Sequence, residues 1–402
     1  MKWRVTVGTL ALLVSGSVNC HGEHAEGLLW SLERPVSKLS EIPTLKGVRF
    51  QVIKKRERDV DGYRWLHGVA LAWHEEKLYA CFGHNRGSEN SATEEANGLI
   101  STDDGTTWGP LFQIDNGDEP NLAVSHGVFL SHEGTLWSFL GSFYGNLQQP
   151  QTRAYVLNEK TGSWEKRGVV LRNGFWPMGE PQFMADGNWI MSGVQLGGPW
   201  GSPHNPPAVA ISHGNDLTKW DLVVIPKDSE LVIWGESGVI VEGKEIACIS
   251  RGWHGSAWAY VSISRDYGRT WTRLKRSNLP MTTSKPYCGT LSTGQRYLVG
   301  TVAANIAGRN DRDGEARYPL TIAVSPPDGK HFTKIFRIRD DVFPDGPGES
   351  AKGAALSYPY TVEHKGKLYV GYSNDGGRGY NLNSAELAVI PLSELMVSRE
   401  QE

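Results

Sequence analysis

Apolar and polar positions alternate along this chain in short runs broken by Gly, Asn or Asp. The stretches GVALAWHEEKLYACFG (68–83), GVFLSHEGTLWSFLG (127–141) and GVIVEGKEIACIS (238–250) each read as two half-buried strands joined by a tight turn. The alternation predicts an all-β fold built from hairpins.

One octet fixes how the hairpins are grouped. STDDGTTW (101–108) and SRDYGRTW (264–271) share Ser-x-Asp-x-Gly-x-Thr-Trp. Relaxed to a turn closed by an aromatic, the pattern also covers NEKTGSW, SHGNDLTKW and SPPDGKHF. The closing aromatics Trp108, Trp164, Trp220, Trp271 and Phe332 then fall at intervals of 56, 56, 51 and 61 residues. A unit of that length holds about four strands and cannot bury both sheet faces alone, so radial packing of about four to eight units follows. Five marked turns and an unmarked last unit (367–392) predict a β-propeller of six four-stranded antiparallel blades, with seven as the alternative. The segment GVRFQVI (47–53) is the candidate for the strand that closes the ring. In the octet, Gly supplies positive φ and the Asp and Ser side chains bond nearby amides, so these acids mark the fold and do no chemistry.

Composition adds two things. Gly 47, Pro 21 and Trp 15 suit many short strands and turns, and 41 basic against 44 acidic residues without long runs of either sign give no footprint for nucleic acid. The start, MKWRVTVGTLALLVSGSVNC, places Lys2 and Arg4 before an apolar stretch from Val5 to Val18. That layout predicts a secretory signal over residues 1–25, a single propeller domain over 26–402 and a secreted or periplasmic protein, with Cys20 as a loose lipoprotein site. The apolar run is shorter than the ~20 residues of a membrane span, so no stable span is expected. Cys81, Cys248 and Cys288 lack CxxC spacing, which gives neither a disulfide framework nor a zinc motif; no cofactor or metal is implied.

The octets and the stretches around them resemble the sialidase superfamily, whose octets are called Asp-boxes or BNR repeats, over nearly the whole chain after the leader. The resemblance implies a Tyr nucleophile backed by a Glu, arginines that clamp the substrate carboxylate, and an Asp acid. WGESGVIVEGKEIACISRG nominates Glu236 and Arg251, GEARYPLTIAVSPPDG nominates Arg317, and ALSYPYTVEHKGKLYVGYS nominates Tyr358. A neutral Tyr activated by Glu suits attack near an anionic sugar. The first blade departs from the pattern: YRWLHGVALAW offers Arg64 or His67 where the first clamp arginine belongs. CFGHNRG offers Arg86, followed by Glu89, Glu94 or Glu95 where the acid Asp belongs.

That departure opens a second reading, an elimination like that of propeller polysaccharide lyases such as the ulvan lyases. There His67, His84, Tyr144 and Arg153 supply acid, base and uronate-neutralising groups. Trp176, Trp200 and Trp253, read as lying on connections, are candidates to stack on sugar rings. His67 and His126 both begin HGV runs, which suggests a repeated structural position. The expectation is a secreted enzyme that cuts a glycosidic bond at an acidic sugar of a glycan or polysaccharide. Sialidase-type hydrolysis comes first, elimination second, and a non-catalytic glycan-binding propeller third.

Overall fold

The computed structural model describes residues 27–197, 204–253, 256–306 and 316–398. The segment expected from sequence to be a secretory signal, Cys20 and Trp200 lie outside the described residues. Six blades stand in a ring, each an antiparallel sheet of four main strands. Blade 1 comprises Trp65–His74, Lys77–Asn85, Glu94–Ser101 and Phe112–Asp115. Blade 2 runs through Leu122–His132, Thr135–Tyr144, Gln148–Asn158 and Ser163–Leu171. Blade 3 is Phe175–Pro177, Trp189–Gln195, Pro207–His213 and Asp216–Val224, with the short Gln182–Phe183 added to Trp189–Gln195. Blade 4 comprises Ser237–Glu242, Glu245–Ser250, Trp258–Ser264 and Lys275–Pro280. Blade 5 comprises Tyr287–Thr290, Gln295–Gly300, Leu320–Pro327 and Lys334–Arg339. Blade 6 takes Leu356–His364, Lys367–Asn374 and Ser384–Pro391 from the end of the chain and its outermost strand, Arg49–Lys54, from the beginning. The ring therefore closes with the segment that the sequence suggests, and the count is six.

The closing aromatics fall in one region of the blade: Trp108, Trp271 and Phe332 on the connection from third to fourth strand, Trp164 at the start of the fourth and Trp220 midway along it. The two octets make the same turn. In the first, Thr107 N–H donates to Asp103 Oδ1 at 2.8 Å, the Thr107 hydroxyl to Asp103 Oδ2 at 2.6 Å, and Gly105 N–H to Ser101 Oγ at 2.9 Å. In the second, the matching distances around Asp266 and Ser264 are 2.8, 2.5 and 2.8 Å. Each turn sits against the preceding blade: a Cβ on Gly105 would lie 2.6 Å from Leu387 and one on Gly268 2.8 Å from Ile190. Trp164 faces Phe112 of blade 1 at 6.3 Å, and Trp220 meets Phe139 of blade 2 edge-on at 5.4 Å. Aromatics at these places join neighbouring blades through buried apolar area.

These turns lie at the ends of the third strands, so the opposite end of the ring receives the starts of the first strands and the loops from second to third strand. At that end the first strands of three consecutive blades lose register: between His67 and Ala70 in blade 1, Val124 and Gly127 in blade 2, and Ser357 and Tyr360 in blade 6. Bulges re-aim side chains beside sites. No helix among the described residues is long and apolar enough to cross a membrane.

Candidate active site

A cavity of about 440 Å³ opens at the bulged end of the ring, and every blade contributes to its wall. The bulges place His67, His126 and Tyr358 side by side: the His67 and Tyr358 ring centres are 3.8 Å apart and those of His67 and His126 5.8 Å. Gly68 permits this crowding. Its φ is +70°, and a Cβ there would lie 2.2 Å from His126 Cγ. Tyr358 is itself left-handed, at φ 54°, which costs a non-glycine residue about 1 kcal/mol and is held only where the surroundings enforce it. Beneath it the buried Lys285 ammonium donates to the carbonyls of Pro359 (2.9 Å) and Met178 (3.2 Å), fixing the strand that carries the tyrosine.

Glu236 enters just before the first strand of blade 4, and Arg251 follows the second strand of that blade. The Tyr358 hydroxyl donates to Glu236 Oε1 at 2.5 Å, and the Trp234 indole donates to the same oxygen at 3.0 Å. Glu236 Oε2 lies 3.2 Å from Arg251 Nε at ion-pair distance without hydrogen-bond alignment, because that N–H is aimed at the Trp234 carbonyl (3.3 Å). Arg251 also donates from Nη1 to Thr283 O at 2.9 Å. Arg317, from blade 5, completes the basic wall, and its buried Nε has no hydrogen-bond partner among the described residues.

Burial, and next to it the Glu236 charge, hold the Tyr358 phenol well above its usual range, opposed by Arg251 and Arg317. Tyr358 therefore rests as a neutral donor to Glu236. His67 is pushed well down by burial, then by His126, Arg317, Arg251 and Lys285, and His126 is pushed down to about 3 by burial and Lys285. Both rings are neutral near pH 7. The Asn383 amide nitrogen, which donates to Leu66 O, also faces His67 Nδ1 at 3.2 Å, so the His67 proton is assigned to Nε2. Lys285 is lowered to about 7 by burial, against the pull of Glu236.

Glu89 and Glu236 are the only carboxylates among the described residues lining the cavity, and no three-ligand metal cluster occurs there among those residues. Glu89 stands on the loop after the second strand of blade 1, its Oε1 accepting from Asn381 at 2.9 Å. Together the groups present an acid–tyrosine pair, two arginines for an anion and a second carboxyl across the cavity.

The sequence profile of the BNR repeat-like domain matches residues 126–370. The chain belongs to that family. No curated protein sequence matches it. Among solved structures, this BNR repeat-like chain is similar to a protein of unknown function from Dyadobacter fermentans, with 15% identity, a TM-score of 0.62, and 86% of this chain and 99% of that one covered. It is also similar to the NanB sialidase of Streptococcus pneumoniae, at 10% identity and TM-score 0.63, covering 86% and 71% of the two chains. For the Trypanosoma rangeli sialidase in complex with the inhibitor DANA, the values are 14%, 0.63, 87% and 60%. The chain thus spans less than two thirds of that last protein, and at these identities the likeness concerns the fold.

Of the residues nominated from sequence, Tyr358, Glu236, Arg251, Arg317, His67, Glu89, Trp176 and Trp253 line the cavity of this BNR repeat-like chain. His84, Arg86, Arg64, Tyr144 and Arg153 lie outside it. His84 stacks on Tyr63 at 3.6 Å and bonds Asn97, and burial pushes it down to about 3. Arg86 lies over the Tyr63 ring and donates to Asp61 O at 2.6 Å, while the Arg64 backbone is bonded to Asn85 O. Tyr144 and Arg153 meet each other through Glu119, at 2.5 and 3.2 Å. The quartet His67, His84, Tyr144 and Arg153 is therefore not assembled in one place. Trp176 is in a strand rather than a connection, 4% exposed, with its indole N–H donated to His126 O at 3.1 Å. It packs the wall edge-in, leaving Trp253, stacked on Trp234 at 5.3 Å, as the aromatic better placed on a loop. Sequence reasoning left His126 as a structural repeat and missed Lys285, Trp234 and Asn381. The HGV repeat was the one available signal, and it marked a bulge.

Proposed function

We propose that the chain hydrolyses a glycosidic bond next to an anionic sugar, with the axial cavity as the active site. The observation that carries this reading is the 2.5 Å hydrogen bond from Tyr358 to Glu236 in a cavity walled by Arg251 and Arg317. Glu236 takes the phenolic proton as Tyr358 Oη bonds to the anomeric carbon. The leaving oxygen departs with a proton from Glu89, the carboxyl across the cavity. Water, deprotonated by Glu89, then attacks the anomeric carbon, the tyrosyl–sugar bond breaks, and the phenolate recovers its proton from Glu236. Arg317 and Arg251 hold the anionic group, and neutral His67 supplies an Nε2–H donor where a third cation would otherwise stand. With two arginines and one neutral donor the clamp is weaker toward a bare carboxylate than three arginines would be.

The test is hydrolysis of a panel of aryl sialosides and aryl uronides, followed by intact-protein mass spectrometry after reaction with a fluorinated glycosyl fluoride of the best substrate. A sugar adduct on Tyr358, absent from Tyr358→Phe, supports the reading. Undiminished turnover in Tyr358→Phe overturns it. Failure of the whole panel, with retained binding of acidic oligosaccharides, favours the glycan-binding propeller.

A further inference from the structure

At the opposite end of the ring, three side chains from two blades meet away from the cavity. His74 ends the first strand of blade 1, Glu75 follows it in the turn, and Glu159 stands in the turn between the third and fourth strands of blade 2. One ligand-capable atom from each lies within 4.8 Å of the others.

The histidine is the informative member. Its side chain is 2% exposed, although both glutamates reach solvent. Nδ1 is engaged by Ser131 Oγ at 2.8 Å. Nε2 is buried and makes no hydrogen bond, yet it lies 3.1 Å from Glu159 Oε1. No aligned N–H···O bond accounts for that distance, so a buried ring nitrogen without a hydrogen-bond partner is left beside two carboxylates. A serine behind the ring sets its orientation, the role of an outer partner to a metal-binding histidine. The two glutamates reach the same spot from two blades, each bringing a carboxylate oxygen within 4.8 Å of the other ligand-capable atoms.

We propose that His74 Nε2, Glu75 and Glu159 bind a divalent cation of the zinc or manganese type, which pins blade 1 to blade 2. One imidazole nitrogen with two carboxylates suits borderline cations better than calcium or magnesium, and three protein donors leave a position for water. The residues are 84 or more positions apart in sequence between the His–Glu pair and Glu159, so no spacing motif announces the site. The cation is structural here, since the site lies at the end of the ring away from Tyr358.

The test uses the tag-free full chain, stripped with EDTA and titrated calorimetrically with zinc chloride and, separately, manganese chloride. One ion per chain is expected, with the melting temperature raised by about 3 °C at a hundredfold excess over Kd. Glu159→Gln and Glu75→Gln, whose side chains face solvent, are expected to fold and to weaken binding by on the order of 100-fold. His74→Ala should abolish binding, but its buried ring makes the glutamate variants the deciding ones. No binding of either ion to the wild type, or equal affinity in Glu159→Gln, overturns the proposal and leaves an imidazole–carboxylate contact without an ion.

Discussion

Tyr358 combines two costs that a merely structural tyrosine would avoid: a left-handed backbone and a hydroxyl committed to a buried carboxylate. Tyr358→Phe is expected to lower turnover by on the order of 1000-fold or more while leaving the fold intact, since the ring contacts with His67 persist. Tyr144→Phe, 2.5 Å from exposed Glu119 and outside the cavity, should change turnover less than about twofold, as for surface substitutions generally. Steady-state kinetics on one substrate distinguishes them.

Glu94, 1% exposed behind the loop that carries Glu89, gives a pH test. Burial raises its carboxyl from 4.5 to about 8, with the Glu89 charge adding to the rise and the hydrogen bond from the Asn90 amide opposing it. An acid whose pKa is higher folded than unfolded stabilises the chain fully below 4.5 and loses that contribution as pH rises toward about 8. Across that window Glu94 should subtract on the order of 1 kcal/mol per pH unit, and Glu94→Gln should flatten the slope in denaturant titrations.

At the scale of the element, the octet turn is where local sequence and ring geometry agree. Gly268, at φ +80° and close to the tip of Ile190 of the preceding blade, accepts a side chain only with strain. Gly268→Ala should cost about 1–2 kcal/mol, read as a lowered midpoint in chemical denaturation. Such turns were legible because every group in them lies within eight residues, as with Ser264, Asp266, Gly268 and Thr270. Glu236, Arg251, Arg317 and Tyr358 were legible through the strands around them, which repeat a family pattern. His84 and Tyr144 were misleading for a physical reason: order along the chain says which strand a residue occupies, whereas successive side chains point to opposite faces and only packing decides which one meets the axis. Lys285 could not be found this way, because its role depends on carbonyls of residues 178 and 359, from two other blades. The metal-type cluster escaped for the same reason.

For the whole molecule, the seam in blade 6 decides cooperativity. Arg49–Lys54 pairs along Ser384–Pro391, and Arg49, Lys367 and Tyr369 all reach Asp104 of the first octet turn, so sheet pairing and side-chain contacts coincide there. A chain beginning after Lys54 exposes Ser384–Pro391 as an open edge. The full chain is expected to melt in one transition by circular dichroism and the shortened chain in more than one, with limited proteolysis cutting first within residues 356–391.

The closing strand also has a consequence in time. Arg49 pairs with Val389, so a strand that precedes blade 1 finds its partner only after the residues of all six blades have been made. Blades 1 to 5 need only neighbouring residues for their own hairpins, whereas this last pairing must overcome the entropy of closing a loop that contains all of them. Ring closure is thus the natural slow step of folding, and its reversal the natural barrier to unfolding. Until then the ring is an open arc with two unpaired ends.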